Sequence, residues 1–153
     1  SDLRVSPQVD FLDPNEPRHD VALVIDGKKI YANKQYLALH SPVFNAMFNQ
    51  DFAEKNKKEV ELKGVDCEEF LELLHVIYPS YKKITEVNAE YLLKLGDQLQ
   101  IKLVIDQVEQ FLITSSNMSV PDKLKLADQY ILVNLQDHCI GSFTTVQDIK
   151  KIK

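Results

Sequence analysis

Hydrophobic and polar positions along the chain divide it into short strands at the start and helices after them. Val21–Ile25 is apolar at every position, the mark of a strand covered on both faces. Asp26-Gly27 follows, a pair that tolerates positive φ at both centres and signals a two-residue hairpin. The return strand is Lys28–Ala32, and Lys34–Leu39 reads as one or two helical turns with Tyr36, Leu37 and Leu39 inward. Ser41-Pro42 then opens a helix, the serine as cap and the proline where no N–H is needed. Phe44, Met47 and Phe48 fall at i, i+3 and i+4 on one face of it. Lys57–Leu62 alternates, with Val60 and Leu62 inward and Glu59 and Glu61 outward.

Asp66 and Glu69 have capping-box spacing. The helix behind them carries Phe70, Leu71, Leu73, Leu74, Ile77 and Tyr78, an apolar arc too wide for a surface helix, and Pro79 stops it. Leu92, Leu93, Leu95 and Leu99 mark the next helix, opened by Asn88. Leu103, Val104, Val108, Phe111 and Leu112 mark another. Ser115-Ser116-Asn117 is a break, and Ser119 with Asp122 repeats the capping spacing, Pro121 lying inside the first turn. A repeat spans this part: LKLGDQL at 93–99 returns as LKLADQY at 124–130, offset by 31 residues, each copy followed by a second amphipathic segment. Helix pairs of this kind bury their faces by stacking on a neighbour, so the last third extends the domain by one more helical hairpin. Residues 1–19, with Pro7, Pro14 and Pro17, read as a linker or lead-in in which Val9–Leu12 is a candidate short edge strand.

The chain has 153 residues with 44% apolar and 27% charged side chains, enough to bury a core without staples. Val21–Ile25 is its longest pure apolar run, far short of the ~20 residues that span a bilayer, so no membrane partner is expected. Net charge is −5 and Lys55, Lys57 and Lys58 are offset by Glu54, Glu59 and Glu61, which argues against a nucleic-acid patch. Cys67 and Cys139 are far apart with no CxxC pair, and the four histidines share no ligand spacing with them or each other. Metal and cofactor sites are therefore not expected, and both cysteines are expected in the core of a protein from a reducing compartment, cytoplasmic or nuclear. Ser41 is explained as a cap rather than a nucleophile, there is no Gly-rich phosphate loop, and no catalytic constellation is found, so no enzyme is predicted. Phe52 is the unusual residue: an aromatic ring among Asn49, Gln50, Asp51, Ala53 and Glu54. It either folds back onto the core or, with Glu54, forms an exposed apolar-x-acid plug for a partner's groove.

Asp20-Val21, Leu23-Val24, Gly27, Lys34, Leu37, Leu39, Ser41-Pro42-Val43-Phe44, Met47-Phe48, Val60-Glu61-Leu62, Phe70, Leu73-Leu74 and Ile77-Tyr78 occur in an order that resembles the BTB/POZ domain. The resemblance covers residues 20–113 and implies an α+β fold, a small β-sheet flanked by a cluster of α-helices. The run PNEPRHDVALVIDGKKIYANKQYLALHSPVFNAMF looks most like the MATH–BTB subfamily, in which a substrate-binding domain comes first. Residues 114–153 resemble the helical extension, the 3-box or start of a BACK region, that follows BTB domains in cullin-3 adaptors. Asn33 departs from the family's usual histidine, and Tyr78-Pro79 from its usual Tyr-Thr.

By position, Phe52-Ala53-Glu54 matches the apolar-x-Glu motif through which such adaptors engage cullin-3. The resemblance thus implies a cullin contact through Phe52, Glu54, Met47, Phe48, Asn49 and Asp51, widened by Tyr130 and Leu132 as exposed residues of the extension. It implies a homodimer with Tyr36, Leu37, Leu39, Val43, Phe44 and Ala46 as candidates for a shared core, some of which must also face their own protomer. The expected function is a non-enzymatic substrate adaptor of a cullin-3 ubiquitin ligase, its ubiquitination substrate bound by a domain outside this chain. The alternative is a dimerisation module of a transcriptional regulator or cytoskeletal scaffold that binds no cullin.

Overall fold

Asp26 and Gly27 take φ of 49° and 78°, so the turn twists with its strands and pairs β1 (Val21–Ile25) with β2 (Lys28–Ala32) in antiparallel register, Leu23 opposite Ile30. The computed structural model describes residues 9–49, 58–79 and 82–152, giving residues 143–152 as helical backbone alone. A third strand, β3 (Glu59–Glu61), runs parallel to β1, with Leu23 opposite Val60, and the sheet order is β2-β1-β3. The continuous apolar run of β1 is thus the central strand, and Val21, Ala22, Leu23 and Ile25 are all buried. β3 keeps one wet face, and Lys29 on β2 meets Glu59 at 2.5 Å, an exposed pair that adds little stability.

Between β2 and β3 the chain makes α1 (Lys34–His40) and α2 (Pro42–Asn49), which pack on each other. Asn33 caps α1: its side-chain oxygen accepts the Tyr36 N–H at 2.9 Å, and its amide donates to the Arg18 carbonyl at 3.0 Å. The buried helix α3 (Cys67–Ile77) is capped by Asp66, which accepts the Glu69 N–H at 3.0 Å. It ends at Tyr78 in extended geometry, as a residue before proline must. Phe70, Leu73, Leu74, Val76 and Ile77 are all buried, because α4 (Ala89–Gln98) and α5 (Lys102–Thr114) both pack against α3. Cys67 and Cys139 are buried free thiols whose pKa values burial raises.

The sequence repeat is a repeat of structure. α4 and α5 form one helical hairpin, and α6 (Val120–Gln129) and α7 (Val133–Ile152) form the second. Both turns are Schellman motifs: Ile101 N–H donates to the Gly96 carbonyl and Leu132 N–H to the Ala127 carbonyl, each at 2.8 Å. The residue in the left-handed region is Gln100 in the first turn and Ile131 in the second, both at φ 56°. Gly96 permits the close approach of α5, since a Cβ there would lie 3.1 Å from Ile105 Cγ1. Leu132, expected on the surface, is buried instead; it is the residue after the left-handed turn, whose apolar side chain folds back on the helix end.

Two other expectations change. Val9–Leu12 is not a strand: it begins a series of turns whose first backbone amides bond to Asp10 and Asp13 side chains. The segment still docks, because Phe11 is 2% exposed, meets His75 and Tyr78 edge-on at 5.0 and 4.8 Å, and accepts the Tyr31 N–H at its carbonyl. Leu39, expected inward, is 76% exposed. With Leu37 and Tyr36 facing the core, a helix of two turns has no inward position left for it.

Ile131 is a β-branched residue held in a conformation that costs such side chains roughly 1–2 kcal/mol, and it is 80% exposed. Ile131→Gly is expected to raise the melting temperature by about 2–4 °C, equivalent to about 1 kcal/mol. A melting temperature that falls in a calorimetric scan would show that the side chain stabilises the turn in spite of its backbone.

Candidate protein-interaction site

The exposed surface of α1 and α2 follows from two helices that share one buried stripe. Leu37 from α1 and Phe44 and Phe48 from α2 form that stripe, at 0%, 0% and 3% exposure. Phe44 stacks on Phe48 at 5.5 Å and meets the Phe70 edge at 6.2 Å. These side chains are therefore core of their own protomer, as some of the dimer candidates had to be, with Phe48 also lining the cleft beside α1. Tyr36 is half-buried: its hydroxyl donates to the Ile77 carbonyl and its ring lies 4.4 Å from that of Tyr78. Burial raises its pKa.

What remains outward from the proposed seam is Leu39 and Ala46, with Val43 half-buried at their side. An open cleft of 740 Å³ runs along the two packed helices, lined by Lys34, Ala38, Leu39, Asn45, Phe48 and Asn49 among others. The Lys34 ammonium stands 6.0 Å from the Phe48 ring centroid, so the cleft is greasy at its floor and polar at its rim.

α2 is fixed at its start by Ser41, which is fully buried. Its hydroxyl accepts the Phe44 N–H at 3.0 Å and donates to the Leu99 carbonyl at 2.5 Å. The last turn of α2 gathers Met47, half-buried against the core, and Asn49, exposed, whose amide donates back to Asn45 at 2.8 and 2.9 Å. Phe52, Glu54 and Asp51, the plug of the sequence reading, lie outside the described residues. Tyr130 sits elsewhere, at the end of α6, with its ring half-buried on the core. Its pKa is raised, first by burial and then by Asp97 and Glu90. Sequence reasoning missed its neighbours Ile131 and Val133, which are 80% and 56% exposed. The repeat held the signal, because Ile131 occupies the place of the polar Gln100.

Among the described residues no group of three or more His, Cys, Asp or Glu is arranged to hold a metal, and no helix is long and apolar enough to cross a membrane. The candidate surface sits on a fold of a small mixed sheet and helical hairpins, and the BTB/POZ domain model matches this chain over residues 12–116. The chain belongs to the BTB/POZ family. BTB domains are protein-interaction modules that also dimerise. BTB and MATH domain-containing proteins 38 and 36 of Caenorhabditis elegans are 49% and 39% identical to it, over 99% and 94% of this chain. The chain spans 39% and 45% of the length of these two relatives. Human Kelch-like protein 6 is 32% identical over 83% of this chain and 21% of its own length. The BTB domain of human gigaxonin superposes with a TM-score of 0.54 at 23% identity, covering 69% of this chain and 97% of that one, a likeness of fold.

Proposed function

We propose that this BTB chain is the dimeric, cullin-3-binding part of a ubiquitin-ligase substrate adaptor, with substrate bound by a MATH domain elsewhere in the protein. The observation that carries the reading is the second helical hairpin. Stacked on the BTB domain beyond the family match, it resembles the 3-box extension of cullin-3 adaptors. The names of the nematode relatives, which pair BTB with MATH, support the same reading. In it, Phe52 and Glu54, which follow α2 in the sequence, act as the apolar anchor and as a polar neighbour that adds specificity. Met47, Asn49 and Asp51 flank them, Tyr130 widens the contact, and the proposed dimer closes over Leu39, Val43 and Ala46.

The test is titration of the purified chain with the N-terminal region of cullin-3. Native protein is expected to bind, and Phe52→Ala to weaken binding by about 30-fold, equivalent to about 2 kcal/mol, without a change in melting temperature. Absence of a complex at about 50 µM, or equal binding by Phe52→Ala, would refute the reading.

A further inference from the structure

Two carboxylates hold the second hairpin against the BTB domain, one at each end. At the connector, Glu86 accepts the Asn117 N–H at 2.6 Å and the Ser116 hydroxyl at 3.0 Å. At the far end Glu109, on α5 and 8% exposed, accepts the Leu135 N–H at 3.0 Å and lies 3.5 Å from the Asn134 amide nitrogen. Leu135 is in the first turn of α7, where backbone N–H groups have no partner within their own helix. Leu132, the residue before α7, has no side chain that accepts a hydrogen bond. Glu109 therefore does from a neighbouring helix what an Asp or Ser cap does locally, and its charge faces the favourable end of the helix dipole. Among the described residues the first hairpin shows no such contact: the equivalent residue, Val104, returns its N–H to the Ile101 carbonyl at 3.1 Å.

We propose that Glu109 is a catch: its bond to Leu135 holds α6 and α7 shut against α5, and losing it lets the hairpin swing out as a unit on the 115–119 connector while the BTB domain stays folded. Three observations support this. The family match ends at residue 116, inside the connector. Among the side chains described, up to residue 142, the hairpin buries five apolar ones, Leu126, Ala127, Leu132, Leu135 and Cys139, and elements with few buried contacts open below the global unfolding threshold. Tyr130, Ile131 and Val133 ride on the hairpin, so the catch fixes where this apolar tip sits. The catch is a property of the free chain and stands whether or not a cullin is the partner.

Amide hydrogen exchange of the whole chain, residue by residue, tests it. In native protein the α6–α7 amides are expected to exchange through an opening that leaves Leu92, Leu93 and Val104 protected. In Glu109→Ala, exchange at Leu135 and along α6–α7 is expected to rise about tenfold or more with those core amides unchanged. Glu109→Gln keeps an acceptor oxygen and is expected to stay close to native. A rise spread evenly over core and hairpin would overturn the proposal, because Glu109 would then be one more part of a single cooperative fold. So would an unchanged Leu135, or native hairpin amides that exchange only by global unfolding. The native measurement decides the question even if the alanine variant does not fold.

Discussion

Phe44→Ala is expected to lower the stability of the BTB domain by about 3–5 kcal/mol, whereas Leu39→Asp, five residues away, is expected to leave it within about 0.5 kcal/mol. Both were candidates for one dimer surface, and burial separates them. The Phe44 ring is fully enclosed, between the stacked Phe48 ring and the edge of Phe70. Removing it leaves a cavity that two aromatic neighbours from different helices cannot both collapse into. Leu39 is 76% exposed, and an aspartate there keeps its hydration in a monomer. In the proposed dimer the order reverses, since a buried unpaired charge at the seam is costly. Urea denaturation at fixed protein concentration, because dimer stability depends on it, gives the first quantity, and sedimentation gives the second. A Phe44→Ala loss below about 1.5 kcal/mol would mean the stripe repacks easily; a dimer undisturbed by Leu39→Asp would place the seam elsewhere.

Local rules were legible wherever one residue type has one physical use. Asp26-Gly27 turned as expected because few other pairs accept positive φ twice, and Asp66 and Ser119 capped because their oxygens meet N–H groups that nothing else satisfies. The repeat was legible because it recurs at the level of the turn hydrogen bonds. Partition between core and surface was not. In α1 and α2 apolar residues cover more than half the helix circumference, so Leu37 and Leu39 look alike until the sheet and α3 fix which side is inside. Leu132 was misplaced for a different reason: its burial depends on Ile131 adopting a conformation that a β-branched residue rarely takes. Phe11 was obscured by its prolines, since a turn-rich segment can dock an aromatic side chain without forming any regular element. Glu109 looked like any solvated helix carboxylate, because its partner N–H belongs to a helix 26 residues on.

Ser41→Ala is expected to cost about 3 kcal/mol, more than an ordinary cap. The hydroxyl does two things at once in a fully buried position. It satisfies the Phe44 N–H at the start of α2, and it satisfies the carbonyl of Leu99 where α4 ends. Carbonyls at a helix C-terminus have no acceptor role left within their own helix, and Leu99 is 3% exposed, so water has little access to replace the lost bond. Alanine leaves a donor and an acceptor unpaired together, each worth about 1–3 kcal/mol when buried. Ser119→Ala is the internal control: Ser119 is exposed and makes one capping bond, to the Asp122 N–H at 3.3 Å, so its loss is expected to cost about 1 kcal/mol or less. Equal losses in the two variants, read from denaturation midpoints, would show that the tie between α2 and α4 contributes nothing. A threefold difference would make Ser41 the joint that locks the helix leading to Phe52 onto the first helical hairpin.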